Sequence, residues 1–143
     1  MRELDPSSLE ALASSYRLAS CIYAAAELGL PDLMVAGARD DEDLAREAGC
    51  HAPTLRRVLR MLAAEGVFTE DDDGRFGLTS FSHRLLSNVQ DSARSMVLGW
   101  HALPAAYRAF GALSSAVRTG STDRHRTTSS EVLSDESDLS LNT

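Results

Sequence analysis

Apolar residues near the start of the chain recur by three and four, at Leu9, Leu12, Tyr16, Ala19, Tyr23, Ala26 and Leu30. That spacing is the seam along which one helix packs against another for its whole length. Ser7 and Glu10 have the spacing of a capping box, which predicts a helix opening there, and Gly29 with Pro31 predicts its end. Ala11, Leu18, Ile22 and Ala25 form a second apolar stripe on another face. A helix apolar on two faces has to be covered from two sides, and one small domain is not expected to supply both covers.

The next segments read as a helix-turn-helix. Asp40 is the predicted cap of a short helix running through Leu44, Ala45 and Ala48 to Gly49, with Asp41, Glu42 and Asp43 where the helix dipole favours negative charge. After the turn Gly49-Cys50-His51-Ala52, Pro53 suits a first helical position, and Leu55, Val58, Leu59 and Leu62 mark one buried face of a helix that stops at Gly66. Val67-Phe68 and Arg75-Phe76-Gly77-Leu78 then read as the strands of a hairpin turning at Asp73-Gly74. Helix-turn-helix plus hairpin is a winged helix, so the expected fold is mainly α with a small β-hairpin, flanked by further helices.

Thr79 or Ser80 can cap a short helix through His83 to Leu86, and a longer helical segment is expected from about Asp91. Met96, Trp100, Leu103, Tyr107 and Phe110 repeat the three-four seam there, with Leu113 and Val117 extending the apolar surface and Pro104 predicted to kink or split the helix. A stripe of this kind suits either the interior of its own domain or a subunit interface, because large aromatics dominate both settings. The pattern ends near Arg118. Of the 25 residues from Thr119 to Thr143, 11 are Ser or Thr and five are acidic, which is the composition of a disordered polar tail. The expected organisation is one domain over 1–118 and a tail over 119–143.

Composition narrows the functional classes. The 143 residues, 43% hydrophobic, suffice for one domain with a real core. No apolar run is long enough to span a bilayer and the N-terminus lacks the order of a signal peptide, so a cytoplasmic location is expected. Cys21 and Cys50 have no ligand spacing and are expected to be reduced structural thiols. The net charge is -7, and every one of the 14 basic residues is an arginine. The tail contributes five acids and two arginines, leaving 12 basic against 16 acidic side chains in residues 1–118, so the domain is acidic as well. General attraction to nucleic acid or to an anionic membrane is not expected.

Four groups of residues could carry chemistry. Arg56, Arg57 and Arg60 lie on the outer face of the second helix of the helix-turn-helix, where a transcription regulator aims side chains at the major groove. Against that reading, the hairpin tip carries Glu70, Asp71, Asp72 and Asp73, which the phosphate backbone would repel, and the arginines equally suit a solvated face or pairing with nearby acids. The acidic run lacks the alternating ligands and distal Glu of a calcium loop, and no metal site is expected. His51, His83, His101 and His125 show no metal-binding spacing and no motif-level nucleophile partner, so no catalytic residue is assigned. His101, beside Trp100, could line a pocket. The chain contains no Gly-x-Gly, and no nucleotide or other cofactor is expected to bind by a recognisable motif.

Three ordered blocks carry a resemblance: Tyr23-Ala24-Ala25-Ala26-Glu27-Leu28-Gly29-Leu30-Pro31-Asp32-Leu33, the run from Leu55-Arg56-Arg57-Val58-Leu59 to Glu65-Gly66-Val67-Phe68, and Gly74-Arg75-Phe76-Gly77-Leu78-Thr79. Together they resemble the N-terminal dimerisation domain of small-molecule S-adenosylmethionine-dependent O-methyltransferases. The likeness extends through the Trp100 segment to Ala116-Val117-Arg118-Thr119-Gly120, about four fifths of the chain. It implies a winged helix turned from DNA binding to subunit pairing, with the first and late helices intertwined with a partner's. It implies as interface residues Leu9, Leu12, Tyr16, Ala19, Tyr23, Met96, Trp100, Leu103, Tyr107 and Phe110. In the family this domain also closes one side of the partner's substrate pocket, which makes Tyr16, Ser20, Trp100 and His101 candidates for lining it.

The family's glycine-rich S-adenosylmethionine loop and catalytic histidine belong to a C-terminal domain that these residues do not contain. Methyl transfer by this chain alone is therefore not expected, and the change of composition near Gly120 suggests a truncation, such as a frameshift leaves. Three functions follow as expectations. The first is a non-catalytic dimerisation module, pairing with itself or, as an accessory subunit, with a full-length methyltransferase of secondary metabolism. The second is a winged-helix regulator using the three arginines. The third, a small-molecule binder with half a pocket, would desolvate its ligand poorly.

Overall fold

The computed structural model describes residues 5–101 and 110–120. They belong to two compact units, one ending at Gly99 and the other beginning at Trp100.

The first unit opens with a 3-10 turn, Pro6–Ser8, and a long helix α1, Leu9–Glu27. The expected capping box of Ser7 and Glu10 does not form. Instead Asp5 turns the chain: its carboxylate accepts the Ser7 amide at 3.0 Å and the Ser7 hydroxyl at 2.6 Å. An Asp two residues ahead of a free amide makes this local turn before a helical cap can compete for it. Gly29, at φ 67°, breaks the chain direction after α1 and Leu30–Leu33 forms one further turn, α2. Leu30 thus belongs to α2 and is fully buried, rather than continuing the α1 seam.

Helix α3, Asp41–Ala48, begins where expected, with the Asp40 carboxylate accepting the Asp43 amide at 2.8 Å, and ends at Gly49 in the left-handed conformation. Helix α4, Ala52–Ala64, follows with Pro53 one position later than predicted, still within the first turn where a missing N–H costs nothing. Its buried residues Leu55, Leu59 and Leu62 pack between α1, α3 and the first strand. The strands β1, Phe68–Glu70, and β2, Phe76–Leu78, pair antiparallel with Phe68 opposite Leu78 and Glu70 opposite Phe76. Beyond the expected hairpin, Arg39 adds a bridge to its edge, exchanging both backbone hydrogen bonds with Phe76 at 2.9 and 2.7 Å.

The core is built from α1 to α4 and both strands: Ala25, Leu30, Met34, Leu44, Ala45, Leu55, Leu59, Leu62, Val67, Phe68 and Phe76, with Leu18, Cys21 and Ile22 of α1 packed against it. The second stripe of α1 is therefore the one that closes the domain. After β2, Thr79 and Ser82 form the reciprocal cap of helix α5, Ser80–His83, and the Thr79 hydroxyl also lies 2.8 Å from the Val67 carbonyl. The helix ends at His83 rather than Leu86; the Leu85 and Leu86 amides donate three residues back, to the Ser82 and His83 carbonyls at 2.9 and 3.2 Å, and both side chains are buried. Helix α6, Arg94–His101, starts three residues later than Asp91, and the second unit contributes helix α7, Leu113–Thr119. The predicted break at Pro104 lies outside the described residues, as do residues 121–143 of the expected 119–143 tail; Thr119 itself still belongs to α7, which ends at Gly120 in the left-handed conformation.

Gly77 is required by the hairpin, since a Cβ there would stand 2.9 Å from Thr69 Oγ1 and 3.5 Å from the Ala38 Cβ. Gly77→Val should lower unfolding free energy in urea by about 1–3 kcal/mol. Adding Thr69→Ala, which removes the nearest atom, should recover part of that loss; no recovery would mean the contact is not the cause.

Candidate subunit interface

Two different environments meet along α1. Toward its end, Ala25 and Ala26 are buried, and Ala19 and Tyr23 are half-buried. Toward its start, Leu9, Leu12 and Tyr16 are 67, 50 and 64% exposed although they continue the same seam. Leu side chains and the ring of Tyr gain by leaving water, and three such residues at three-four spacing over two turns form an apolar strip. The hydroxyl of Ser20 donates to the Tyr16 carbonyl at 2.8 Å, and that of Tyr23 to Glu27 at 2.9 Å, so both polar groups are turned along the helix.

Met96 of α6 is likewise 59% exposed. In the second unit, taken by itself, Phe110, Leu113 and Val117 are exposed at three-four spacing. Leu113 and Val117 belong with the interface candidates on that ground. The side chains of Trp100 and His101, and all of Leu103 and Tyr107, lie outside the described residues. Phe81, exposed on α5, was not singled out by periodicity, since a four-residue helix is too short to show one.

The face of α4 that could meet DNA is occupied by its own domain's acids. Arg56 Nη1 lies 2.8 Å from Asp41 Oδ1, and Asp41 is nearly buried. Arg60 Nε lies 3.4 Å from Glu70 Oε2, leaving Arg57 exposed with no ion pair shown. At the hairpin tip Arg75 pairs with Asp71 at 3.0 Å and Asp73 at 3.3 Å. The Arg75 amide, 2.8 Å from Asp71 Oδ1, holds the Asp71 carboxyl below its ordinary range, and the Arg75 side chain adds to this. A carboxyl depressed in the folded state stabilises the tip above the unfolded pKa, about 3.9, and loses that effect as the pH falls through the folded value.

Among the described residues no three His, Cys, Asp or Glu side chains are grouped to hold a metal ion, and no helix is long and apolar enough to cross a membrane. His51 precedes α4 with Nδ1 2.9 Å from Thr54 Oγ1, and His83 is exposed at the end of α5. The arrangement offers an apolar strip for packing rather than a cluster of reactive groups.

Residues 10–88 match the family model described as the O-methyltransferase dimerisation domain. The chain is 38% identical over 109 residues to the phenazine O-methyltransferase PhzM of Lysobacter antibioticus, covering 76% of this chain and 31% of that protein. It is 40% identical over 107 residues to the mitomycin biosynthesis 6-O-methyltransferase of Streptomyces lavendulae, covering 71% of this chain and 29% of that protein. The chain thus spans about a third of the length of these relatives. The crystal structure of LaPhzM superposes with a TM-score of 0.74 at 36% identity, over 82% of this chain and 35% of that one. That of the N,N-8-amino-8-demethyl-D-riboflavin dimethyltransferase RosA from Streptomyces davawensis gives 0.72 at 33% identity, over 83% of this chain and 35% of that one.

Arg56→Ala strands the Asp41 carboxylate in a nearly buried site, whereas Arg60→Ala breaks an exposed pair. Urea denaturation should show a loss of about 1–2 kcal/mol for the first and under about 0.5 kcal/mol for the second. Equal losses would mean that burial of Asp41 does not set the strength of its pair.

Proposed function

The chain belongs to the O-methyltransferase dimerisation-domain family, and we propose that it works as a subunit-pairing module whose contact surface includes the bare half of α1, Met96, and the exposed face of Phe110, Leu113 and Val117. The observation that carries this reading is the change along α1 from buried Ala26 and half-buried Tyr23 and Ala19 to exposed Tyr16, Leu12 and Leu9 within one unbroken seam. A second copy of the same helix is the simplest cover, because a two-fold contact lets one strip serve both sides. A related methyltransferase chain would present an equivalent strip and is the alternative partner.

We assign these residues to pairing and not to methyl transfer, since the sequence has no Gly-x-Gly turn for a nucleotide-like cofactor. The relatives named for phenazine and mitomycin methylation suggest that the partner system methylates a small molecule of secondary metabolism, in the cytoplasm. The pairing domain is taken as 1–118, with Ser/Thr-rich residues 119–143 outside the interface. DNA recognition by Arg56, Arg57 and Arg60 is disfavoured, because two of the three would have to give up an acid before meeting phosphate.

Sedimentation of the purified chain should give about twice 15.4 kDa at micromolar concentration. Leu12→Asp, which removes an apolar contact from both copies, should weaken pairing about a hundredfold or more while leaving the thermal midpoint of the dilute monomer within a few degrees. A chain that is monomeric up to about 100 µM, alone and with a related methyltransferase, would sink the reading. In a separate comparison, a chain ending at Gly120 should pair as tightly as the full chain; weaker pairing would place the tail in the interface.

A further inference from the structure

Between α5 and α6 the chain makes a closed loop. The Ala93 amide donates to the Arg84 carbonyl at 2.7 Å, bringing the ends together, and the Ser92 hydroxyl donates to the Leu86 carbonyl at 2.7 Å across the inside. Leu85 and Leu86 anchor its first arm in the core. Three further bonds tie it to the region where α1 ends. A single carboxylate oxygen, Asp32 Oδ1, accepts both the amide and the hydroxyl of Ser87, at 3.0 and 2.9 Å. Arg94, the first residue of α6, donates from Nε to the Ala26 carbonyl at 3.2 Å. That carbonyl lies in the last turn of α1 and also accepts the Gly29 amide at 3.2 Å, so Arg94 adds a second donor to it.

None of these bonds joins the main core cluster, and Asp32 and Ser87 are 55 residues apart. What they restrict is the path from the buried Leu86 to the start of α6. A loop of this length left open would let α6 sample many directions, and pairing would then have to order it at the moment of contact.

We propose that Asp32, Ser87 and Arg94 form a clasp that fixes the first turns of α6 in advance, so that Met96 and the α1 strip are presented together to a partner; the proposal rests on the pairing reading above. Asp32 and Arg94 are positioning residues: they act through the loop and not by touching the other chain.

The test compares Asp32→Ala with Asp32→Asn. The amide retains an Oδ1 acceptor for Ser87 but loses the charge near the start of α2, so the pair of variants separates the clasp from a helix-dipole effect. Asp32→Ala should weaken dimerisation about tenfold, as loss of a forked bond to a carboxylate would. In the dilute monomer it should speed amide exchange across residues 94–99 by a similar factor, leaving α4 amides unchanged. Asp32→Asn should restore most of both. Unchanged exchange at 94–99, acceleration spread equally to α4, or faster exchange with an unchanged dissociation constant would each overturn the proposal. A wild-type chain that never pairs would defeat the pairing reading instead, and exchange in the monomer would still decide whether the clasp holds α6.

Discussion

Helix α1 has more apolar surface than one small domain can cover, and the rest of the structure is arranged around that excess. Its second stripe, Leu18, Ile22 and Ala25 with Cys21, closes the core, and small side chains at Ala25 and Ala26 let the neighbouring elements approach closely. Toward the N-terminus the residues become large, and Leu9, Leu12 and Tyr16 are at least half exposed. Each Leu or Tyr moved from water into a packed contact contributes about 1.5–3 kcal/mol when fully buried, and roughly half of that is left unclaimed at Leu9, Leu12 and Tyr16. An apolar strip of this size on one helix is a demand for a neighbouring surface, which is why pairing, rather than chemistry, organises the reading of this chain.

The helix-turn-helix shows the same redistribution of purpose in its charges. Asp41 caps no helix itself; it sits in the first turn of α3 and receives Arg56 from the middle of α4. Glu70, at the end of β1, receives Arg60. These cross-links tie the outer face of α4 to the elements on either side of it, so two of the three arginines that a DNA reader would leave free are paired within the domain, Arg56 the more firmly. Because the hairpin tip is acidic and internally paired, the face presents little field to attract a polyanion from a distance.

Much of this was legible in the sequence because the governing signals are local. Asp40 with Asp43, Gly49, Pro53, Gly66 and Asp73-Gly74 each determine backbone geometry within a turn, and the elements between them formed as read. The α1 seam was legible for the same reason, as periodicity alone. What escaped was decided over distance or by competition. Asp5 displaced the Ser7 cap with a neighbouring hydrogen bond of its own. Arg39 joined the hairpin edge through backbone bonds to a residue 37 positions away, which its side chain does not announce. The helix opened by the Thr79 cap was expected to reach Leu86 but ends at His83, and α6 begins at Arg94 after a loop closed by the Ala93 amide on the Arg84 carbonyl.

The acidic character of the domain bears on how two chains could meet. With a net charge of -4 over residues 1–118, two copies repel at long range, yet the strip itself is almost neutral: around Leu9, Leu12 and Tyr16 the charged neighbours are Glu10 and Arg17. Repulsion spread over the surface is screened beyond about 8–10 Å at physiological salt, whereas apolar burial acts only in contact. The balance therefore favours a partner that covers the strip closely over one that touches it in passing. In the proposed pairing, like charge slows encounter, and packing of the strip holds the pair once it is made. Selection among partners then falls to how well their helices fit the three-four spacing of α1, because the charges near the strip are too few to discriminate.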